Sequence, residues 1–225
     1  MTGASDRAAD AATQQRQRLQ RVVVAGHRGD EDLATAHLGD PSAAIRAAAL
    51  SALGRIGSIT VEIIEAAFSD PEPLVRRRAA ELSVRVAHTS PETLLSDTDP
   101  SVVEISCFAA GEVDWTARDG SPPIAALATI ATSHEDALCR ESAAAALGAI
   151  GDPAGLDAVL HACGDRVTVR RRAVLALAAF DDMRVDAALK TALDDKDWQV
   201  RQAAEDLLEV NRTLHGDPDP DAYAG

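Results

Sequence analysis

Apolar and polar residues recur along this chain with the period of an α-helix. The stretch DPSAAIRAAALSALGRIG (residues 40–57) places its apolar side chains on one helical face: Ile45, Ala49, Ala52, Leu53 and Ile56. The corresponding face of the next stretch is Val75, Ala79, Leu82 and Ser83. Because small residues are frequent on these faces, the pattern predicts helices that pack closely against one another.

A motif of the form Asp-Pro-x-x-x-Val-Arg opens each of these helical stretches. Its copies are DPSAAIR (40–46), DPEPLVR (70–76), DTDPSVV (97–103), HEDALCR (134–140), GDRVTVR (164–170) and DKDWQVR (195–201). Their starts lie 30, 27, 37, 30 and 31 residues apart. A period near 30 residues, with two helical stretches per unit, is typical of a helical-repeat array.

The conserved positions of the motif have a structural interpretation. Asp40 and Asp70 are expected to cap the first N–H groups of their helices, next to prolines that suit a helix start. The motif arginines are expected to form a structural ladder with aspartates of adjacent turns: Arg46, Arg76, Arg170 and Arg201. Shorter amphipathic stretches predict the second helix of each pair: 31–38, 60–68, 90–96, 123–131, 153–162 and 184–193.

The motif resembles that of HEAT repeats, in particular the short DPxxxVRxxAAxALGxIG type of phycobilisome (PBS) lyase HEAT-like proteins, over about residues 29–211. The resemblance implies an all-α, right-handed α-solenoid of about six HEAT-like helix pairs with an N-terminal capping helix. The third unit departs from the pattern, with Val103 in place of the arginine and Glu104 beside it, and the fourth lacks the opening Asp-Pro. The motif is specific for a fold and says little about activity.

Three segments follow from this pattern. Residues 1–28 are expected to form a polar segment and capping helix, residues 29–212 the repeat array, and residues 213–225 a disordered acidic tail.

Composition narrows the classes of partner. The net charge of −14 argues against non-specific attraction to nucleic acid or to an anionic membrane. The first residues lack the apolar core of a signal peptide, and no apolar run is long enough to span a bilayer, so a cytoplasmic protein without membrane insertion is expected. Cys107, Cys139 and Cys163 are far apart in apolar helical contexts and are expected to be reduced structural thiols.

Two features of the sequence bear on an enzymatic function. HEAT-repeat proteins similar to deoxyhypusine hydroxylase bind iron through His-Glu pairs on several inner helices. This chain has a single such pair, His134-Glu135, located before a helix, so neither a metal site nor a cofactor is expected. Asp114-Trp115 resembles the aspartate and tryptophan of AlkD-like DNA glycosylases. However, residues 29–215 carry 17 basic against 31 acidic residues, which does not suit a DNA groove.

The solvent face of the motif helices supplies the candidate binding residues. The set combines a stripe that starts one residue after the motif arginine, the neighbouring arginines of the VRRR segments, and Trp115 from the inserted segment 113–123: Arg77, Arg78, Arg85, Glu104, Phe108, Glu112, Trp115, Arg171, Arg172 and Leu175. Phe108 and Leu175 would anchor a partner, and the arginines would bind its carboxylates. Alternatively, Phe108 turns inward, the arginines bond aspartates of adjacent turns, and Trp115 forms a lid over a repeat junction.

The leading interpretation is a non-catalytic interaction scaffold. It would bind a peptide or helix of another protein, with acidic and apolar residues, in a concave groove. A DNA-glycosylase-like protein or a lyase-type enzyme subunit stays the alternative, nucleic acid is not the favoured partner, and the sequence leaves the oligomeric state open.

Overall fold

Helices begin where the repeated motif predicts them. The computed structural model describes residues 2–115 and 120–215, with side chains from 11 to 115 and from 120 to 213. The helices are α1 (Thr2–Arg28), α2 (Glu31–Ala36), α3 (Ala43–Ile56), α4 (Val61–Phe68), α5 (Pro73–Ser83), α6 (Pro100–Glu112), α7 (Ile124–Ser133), α8 (Ala137–Ile150), α9 (Leu156–Ala162), α10 (Val167–Ala176), α11 (Met183–Ala192) and α12 (Trp198–His215). Each motif helix starts at the fourth residue of its motif, and the described residues form no strand. The all-α helical-repeat fold is therefore confirmed.

The second helical segment of each pair also forms, with one change of type. Residues 90–96, expected to be a helix like the others, form a 3-10 helix at Pro91–Ser96 instead. At six residues this is a long run for a 3-10 helix, and length alone does not explain it, since α2 is equally short and α-helical. Its Leu94 and Leu95 are still buried, so the segment keeps its packing role.

The motif aspartates act in the loop before the helix and do not cap it. The Asp40 Oδ1 accepts a hydrogen bond from the Ser42 N–H, and the Asp70 Oδ1 accepts one from the Glu72 N–H, each at 2.9 Å. The helices α3 and α5 begin only after Ser42 and Glu72, neither of which makes a side-chain capping bond. The predicted role as helix caps is therefore wrong, because each aspartate sits two residues too early and closes a turn instead.

Four motif arginines form a ladder of ion pairs between successive repeats, as predicted for Arg46, Arg76 and Arg170. In each step the Nε and Nη2 atoms donate to both carboxylate oxygens of an aspartate in the next motif, at 2.6–2.9 Å. The pairs are Arg46–Asp70, Arg76–Asp97, Arg140–Asp165 and Arg170–Asp195. The third motif has no such step because Val103, buried, stands at the arginine position. Arg140 adds a step that was not predicted. The predicted step at Arg201 is wrong, because its hydrogen bonds go to backbone carbonyls and no described repeat follows it with an aspartate.

The ladder carboxylates are held in their charged form. Hydrogen bonds from Arg76 lower the pKa of Asp97 below its usual range, more strongly than burial raises it. The pKa of Asp165 is lowered in the same way by Arg140, and that of Asp195 by Arg170. The pairs are mostly shielded from solvent, with side-chain exposures of 13% and 7% for Arg76 and Asp97.

The described residues pack as two compact units. The first contains residues 2–109 and the second contains residues 110–115 and 120–215. In the first unit, one core cluster joins α1, α2 and α3 through Val22, Ala34 and Ile45, and a second joins α3, α4 and α5 through Leu50, Ile64 and Val75. Helix α12 continues through His215, and residues 216–225 of the predicted tail lie outside the described residues.

The second unit depends on close approach of helices α8 and α10. A Cβ atom added at Gly148 would lie 2.5 Å from the Ala176 Cβ and 2.7 Å from its Cα, so only glycine fits at this crossing. Buried Leu147 and Ala173 lie on the same helices. The small residues of the motif thus set the helix spacing, as the apolar pattern predicts.

Candidate functional site

The motif helices of the first unit form an apolar trough, here called the first trough. It has a volume of about 310 Å³ and lies between α1, α3 and α5. Its lining residues are Leu19, Val23, Ala44, Ala47, Ala48, Ser51, Ala52, Arg55, Leu74 and Arg78. Leu74 and Val23 are 49% and 46% exposed, which is unusual for large apolar side chains beside an alanine floor.

The second unit carries a comparable feature, here called the second trough, between α8 and α10. It measures about 380 Å³ and is lined by Ala145, Gly148, Ala149, Arg172, Leu175, Ala176, Ala178 and Ala179. Leu175 is 51% exposed at its wall. Two of these residues, Arg172 and Leu175, belong to the candidate binding set predicted from the sequence.

The two troughs have residues at equivalent positions of the repeat. Arg78 lies two residues after the motif arginine of its helix, and Arg172 lies at the same position of α10. Ser51 and Leu175 likewise occupy equivalent positions five residues after the motif arginine. The repeat therefore places an arginine beside a floor of small residues in each unit separately.

The predicted arginines differ in how far their charges are engaged. The Arg171 side chain donates two hydrogen bonds to Asp197, at 2.9 and 2.5 Å. The edge of the guanidinium formed by Nε and Nη2, here called the fork, therefore already binds a carboxylate. Arg78 donates to Glu81 at 2.7 Å. Arg172 is 51% exposed and approaches the Glu141 carboxylate only to 3.9 Å. Binding of a partner carboxylate at the fork of Arg171 would require Asp197 to leave, whereas Arg172 has donors to spare.

The hydrogen bonds from Arg171 have a further electrostatic effect. They lower the pKa of Asp197 to about 2, more strongly than desolvation raises it. This pair links α10 to the loop before α12, alongside the ladder step from Arg170 to Asp195. The sequence alternative, in which a VRRR arginine bonds an aspartate of a neighbouring turn, thus applies to Arg171.

Helix α6 presents the remaining predicted residues of the middle repeat. Phe108 is 51% exposed and does not turn inward to fill the core. Glu104 is partly exposed and Glu112 exposed on the same helix. Arg77 is partly exposed on α5, and Arg85 is exposed just after its end. Phe108 and Leu175 belong to different units, so a single groove that joins them stays a prediction.

Trp115 folds back onto the helix that precedes it. Its indole Nε1–H donates to the Ala110 carbonyl at 2.9 Å, and the side chain is partly buried. The indole donor is therefore used inside the second unit. Residues 116–119 of the inserted segment lie outside the described residues.

Sequence reasoning missed the contribution of α1 and of the first turn of α5 to the first trough. Leu19, Val23 and Leu74 were not assigned to any binding stripe, although they supply most of its apolar wall. An available signal was Leu74 itself, a large apolar residue two positions before a motif arginine.

Three features of the described residues bear on the requirements for a metal site, a reactive thiol and a membrane span. No group of three or more His, Cys, Asp and Glu residues is arranged to hold a metal ion there. Cys107 and Cys139 are buried, and burial raises the pKa of Cys163 to about 11, which disfavours a reactive thiolate. None of the helices in residues 2–115 and 120–215 has the length and hydropathy required to cross a bilayer.

Among solved structures, the chain is similar to Escherichia coli YibA. The TM-score is 0.62 at 19% identity, over 81% of this chain and 71% of YibA, a likeness that shows the fold alone. Human deoxyhypusine hydroxylase in complex with glycerol matches with a TM-score of 0.46 at 21% identity, over 87% of this chain and 79% of the other. A designed armadillo repeat protein matches with a TM-score of 0.36 at 17% identity, over 85% and 84%. No curated protein sequence gives a significant match.

Two sequence families cover the repeats described above. The HEAT repeats family matches residues 124–209, which hold the helices α7 to α11 and most of α12. The PBS lyase HEAT-like repeat family matches residues 45–70, which hold α4 and most of α3. The motif copies, the paired helices and both matches agree: this chain is a HEAT-repeat protein.

Proposed function

We propose that this chain is a non-catalytic scaffold that binds an acidic amphipathic helix of a partner protein on its motif helices. One observation carries the proposal. The charged residues that line the two troughs are all arginines, namely Arg55 and Arg78 in the first and Arg172 in the second. The whole chain, in contrast, carries 36 acidic against 22 basic residues. Although Glu81 pairs with Arg78 and Glu141 lies 3.9 Å from Arg172, the charge that lines each trough is positive, which suits a partner that is both apolar and acidic.

The apolar part of the recognition comes from side chains that the fold leaves uncovered. Leu74 and Val23 border the first trough, and Leu175 borders the second, each about half exposed. The floor of small residues leaves room for bulky side chains from a partner. A leucine-bearing helix laid along a motif helix would bury these residues, which is the usual way in which grooves between helices bind helical peptides.

A pair of synthetic amphipathic helices tests the proposal by fluorescence anisotropy. The two peptides share one leucine face, and that face is flanked by glutamates in one and by lysines in the other. We expect the glutamate peptide to bind and the lysine peptide to bind at least about tenfold more weakly, because only the former matches the arginines.

Matched variants separate the troughs from general surface effects. Leu74→Asp removes the apolar wall of the first trough, and Leu175→Asp that of the second. Met183→Asp is the control, because Met183 is 88% exposed and lines neither trough. If both trough variants bind the glutamate peptide as well as Met183→Asp does, or if a DNA duplex binds in preference to either peptide, the proposed function is wrong.

A further inference from the structure

The last motif arginine, Arg201, has the same posture as the ladder arginines. Its Nη1 donates to the carbonyl oxygens of Asp195 at 2.7 Å and Lys196 at 3.1 Å. Arg76 uses its Nη1 in the same way, toward the carbonyls six and five residues before it, at 2.8 and 3.1 Å. The loop carbonyls therefore orient the Arg201 guanidinium as they orient those that hold an aspartate.

The remaining edge of the Arg201 guanidinium is open. In the four ladder steps the Nε and Nη2 atoms of the arginine hold both oxygens of an aspartate. The Nε and Nη2 atoms of Arg201 make no hydrogen bond or ion pair with the residues whose side chains are described, 11–115 and 120–213. Since Nη1 is already fixed, a carboxylate that pairs with this edge would cost little additional side-chain ordering.

The other end of the ladder is closed by the chain itself. The Arg18 Nη1, from α1, donates to the Asp40 Oδ2 at 3.0 Å, and the Asp40 side chain is only 5% exposed. A second copy of the chain therefore cannot offer Asp40 to Arg201 without first breaking this pair. Head-to-tail stacking of copies is disfavoured, and the occupant of the open fork must come from elsewhere.

The surface around Arg201 suits a short segment and not a further repeat. In the first repeat, Ala47 and Leu50 pack on the core of the next repeat. The position of Ala47 carries a polar residue, at least partly exposed, in all the other motif helices, so it does not distinguish α12. The position of Leu50 does: it is buried in every other motif helix, whereas its equivalent in α12 is the exposed Glu205, which gives α12 a polar residue where the other helices pack on a further repeat. Trp198, one helical turn before Arg201, is 63% exposed and offers an aromatic surface to a bound backbone.

We propose that Arg201, with Trp198 beside it, is a binding site for an aspartate-bearing extended segment of a partner protein. The aspartate carboxylate accepts from Nε and Nη2 in the paired geometry of the four ladder steps. Aspartate is preferred to asparagine because the fork is matched to two charged oxygens, and arginine cannot be replaced by lysine because lysine lacks the planar pair of donors. The site lies outside both troughs, so this proposal can be tested independently of the proposed function.

Selection of short random peptides displayed on phage against the intact chain tests this site. We expect the selected peptides to share an aspartate, and its replacement by asparagine to weaken binding at least about tenfold. Arg201→Lys should weaken binding by a similar factor. Arg212→Lys, a change on the same helix at an arginine that pairs with Glu209, should not. On the wild-type chain, the Nε–H resonance of Arg201 should shift when the selected peptide is added.

Several results would overturn the proposal. One is that no selected peptide depends on an aspartate for its affinity. Another is that Arg201→Lys binds the peptide as tightly as the wild type, and a third is that the Arg201 Nε–H resonance does not shift when the peptide is added. The fork would belong to the chain itself if replacement of Asp217, Asp219 and Asp221 by asparagine shifted that resonance in the free protein. It would belong to a second copy if a concentration-dependent dimer were lost in Arg201→Lys.

Discussion

Arg140 holds Asp165 through two hydrogen bonds, from Nε to Oδ2 at 2.6 Å and from Nη2 to Oδ1 at 2.9 Å. The two side chains are 25 residues apart in sequence and belong to successive motifs. Only 13% and 17% of their surfaces are exposed, so the pair is shielded from water and salt. Pairs of this kind occur in both compact units. They join successive motifs, so the alignment of neighbouring repeats depends on contacts between residues that are distant in sequence.

Asp165→Asn should destabilise the protein by about 1.5–3 kcal/mol, because it replaces a charged acceptor of two hydrogen bonds from Arg140. Urea unfolding followed by circular dichroism gives the free energy of unfolding. Asp157→Asn is the control in the same unit, since Asp157 is 84% exposed in its pair with Arg184 and should matter far less. Equal losses in the two variants would contradict a special role for the ladder.

Acid should weaken the fold through the ladder aspartates. The folded-state pKa values of Asp97, Asp165 and Asp195 are lowered by their arginines, so each contributes stability that is present above the unfolded pKa. We expect the free energy of unfolding to be flat above about pH 5 and to fall as the pH drops through the unfolded and then the folded pKa values.

Arg140→Gln isolates the contribution of one ladder step to this pH dependence. Without its donor, the pKa of Asp165 should return toward the ordinary value, so the difference in stability from wild type should shrink as the pH falls. Urea titrations at a series of pH values measure it. A difference that stays constant down to the acid limit would mean that the loss is one of packing and not of proton binding.

Gly148→Ala should destabilise the second unit by about 1–3 kcal/mol, because the new methyl group would overlap the Ala176 Cβ and Cα. Thermal unfolding by calorimetry measures the loss. Gly164→Ala is the matched control, since the nearest atom to its added Cβ, the His161 carbonyl oxygen, would lie at an ordinary 3.5 Å. A Gly148→Ala protein as stable as this control would show that α8 and α10 can separate without cost.

The three cysteines should react slowly with a thiol reagent in the native protein near neutral pH. Cys107 and Cys139 are buried, and the pKa of Cys163 is raised to about 11, so little thiolate is accessible. Absorbance of the released chromophore should report fast reaction of all three only in urea. Fast native labelling at Cys163, located by mass spectrometry, would contradict its burial.

The sequence predicted the elements more accurately than the roles of individual side chains. The motif and the apolar period located every motif helix, although the caps assigned at Asp40 and Asp70 lie two residues before the observed N-cap positions Ser42 and Glu72. They gave the wrong helix type for Pro91–Ser96 and the wrong role for Asp40 and Asp70. Both errors concern backbone geometry over one or two residues, which the period of apolar residues does not resolve.

The position of each residue around its predicted helix identified only part of the candidate binding surfaces. It identified Arg172 and Leu175 at the second trough and Arg78 at the first. It could not show that Arg171 is engaged by Asp197, because that residue lies 26 positions away on another repeat. Nor could it find Leu19 and Val23, since their place in the first trough depends on how α1 packs against α3 and α5.

The sequence by itself determined the repeat, the all-α class and the small-residue faces, since these follow from local spacing and side-chain size. Only the tertiary structure decided which charges meet. Arg18 closes the ladder at Asp40, whereas Arg201 keeps an open edge at the last described repeat. An arginine stabilises the fold if another repeat places a carboxylate beside it, and is available to a partner if none does. The distance from the guanidinium to that carboxylate cannot be derived from the spacing of the residues along the chain.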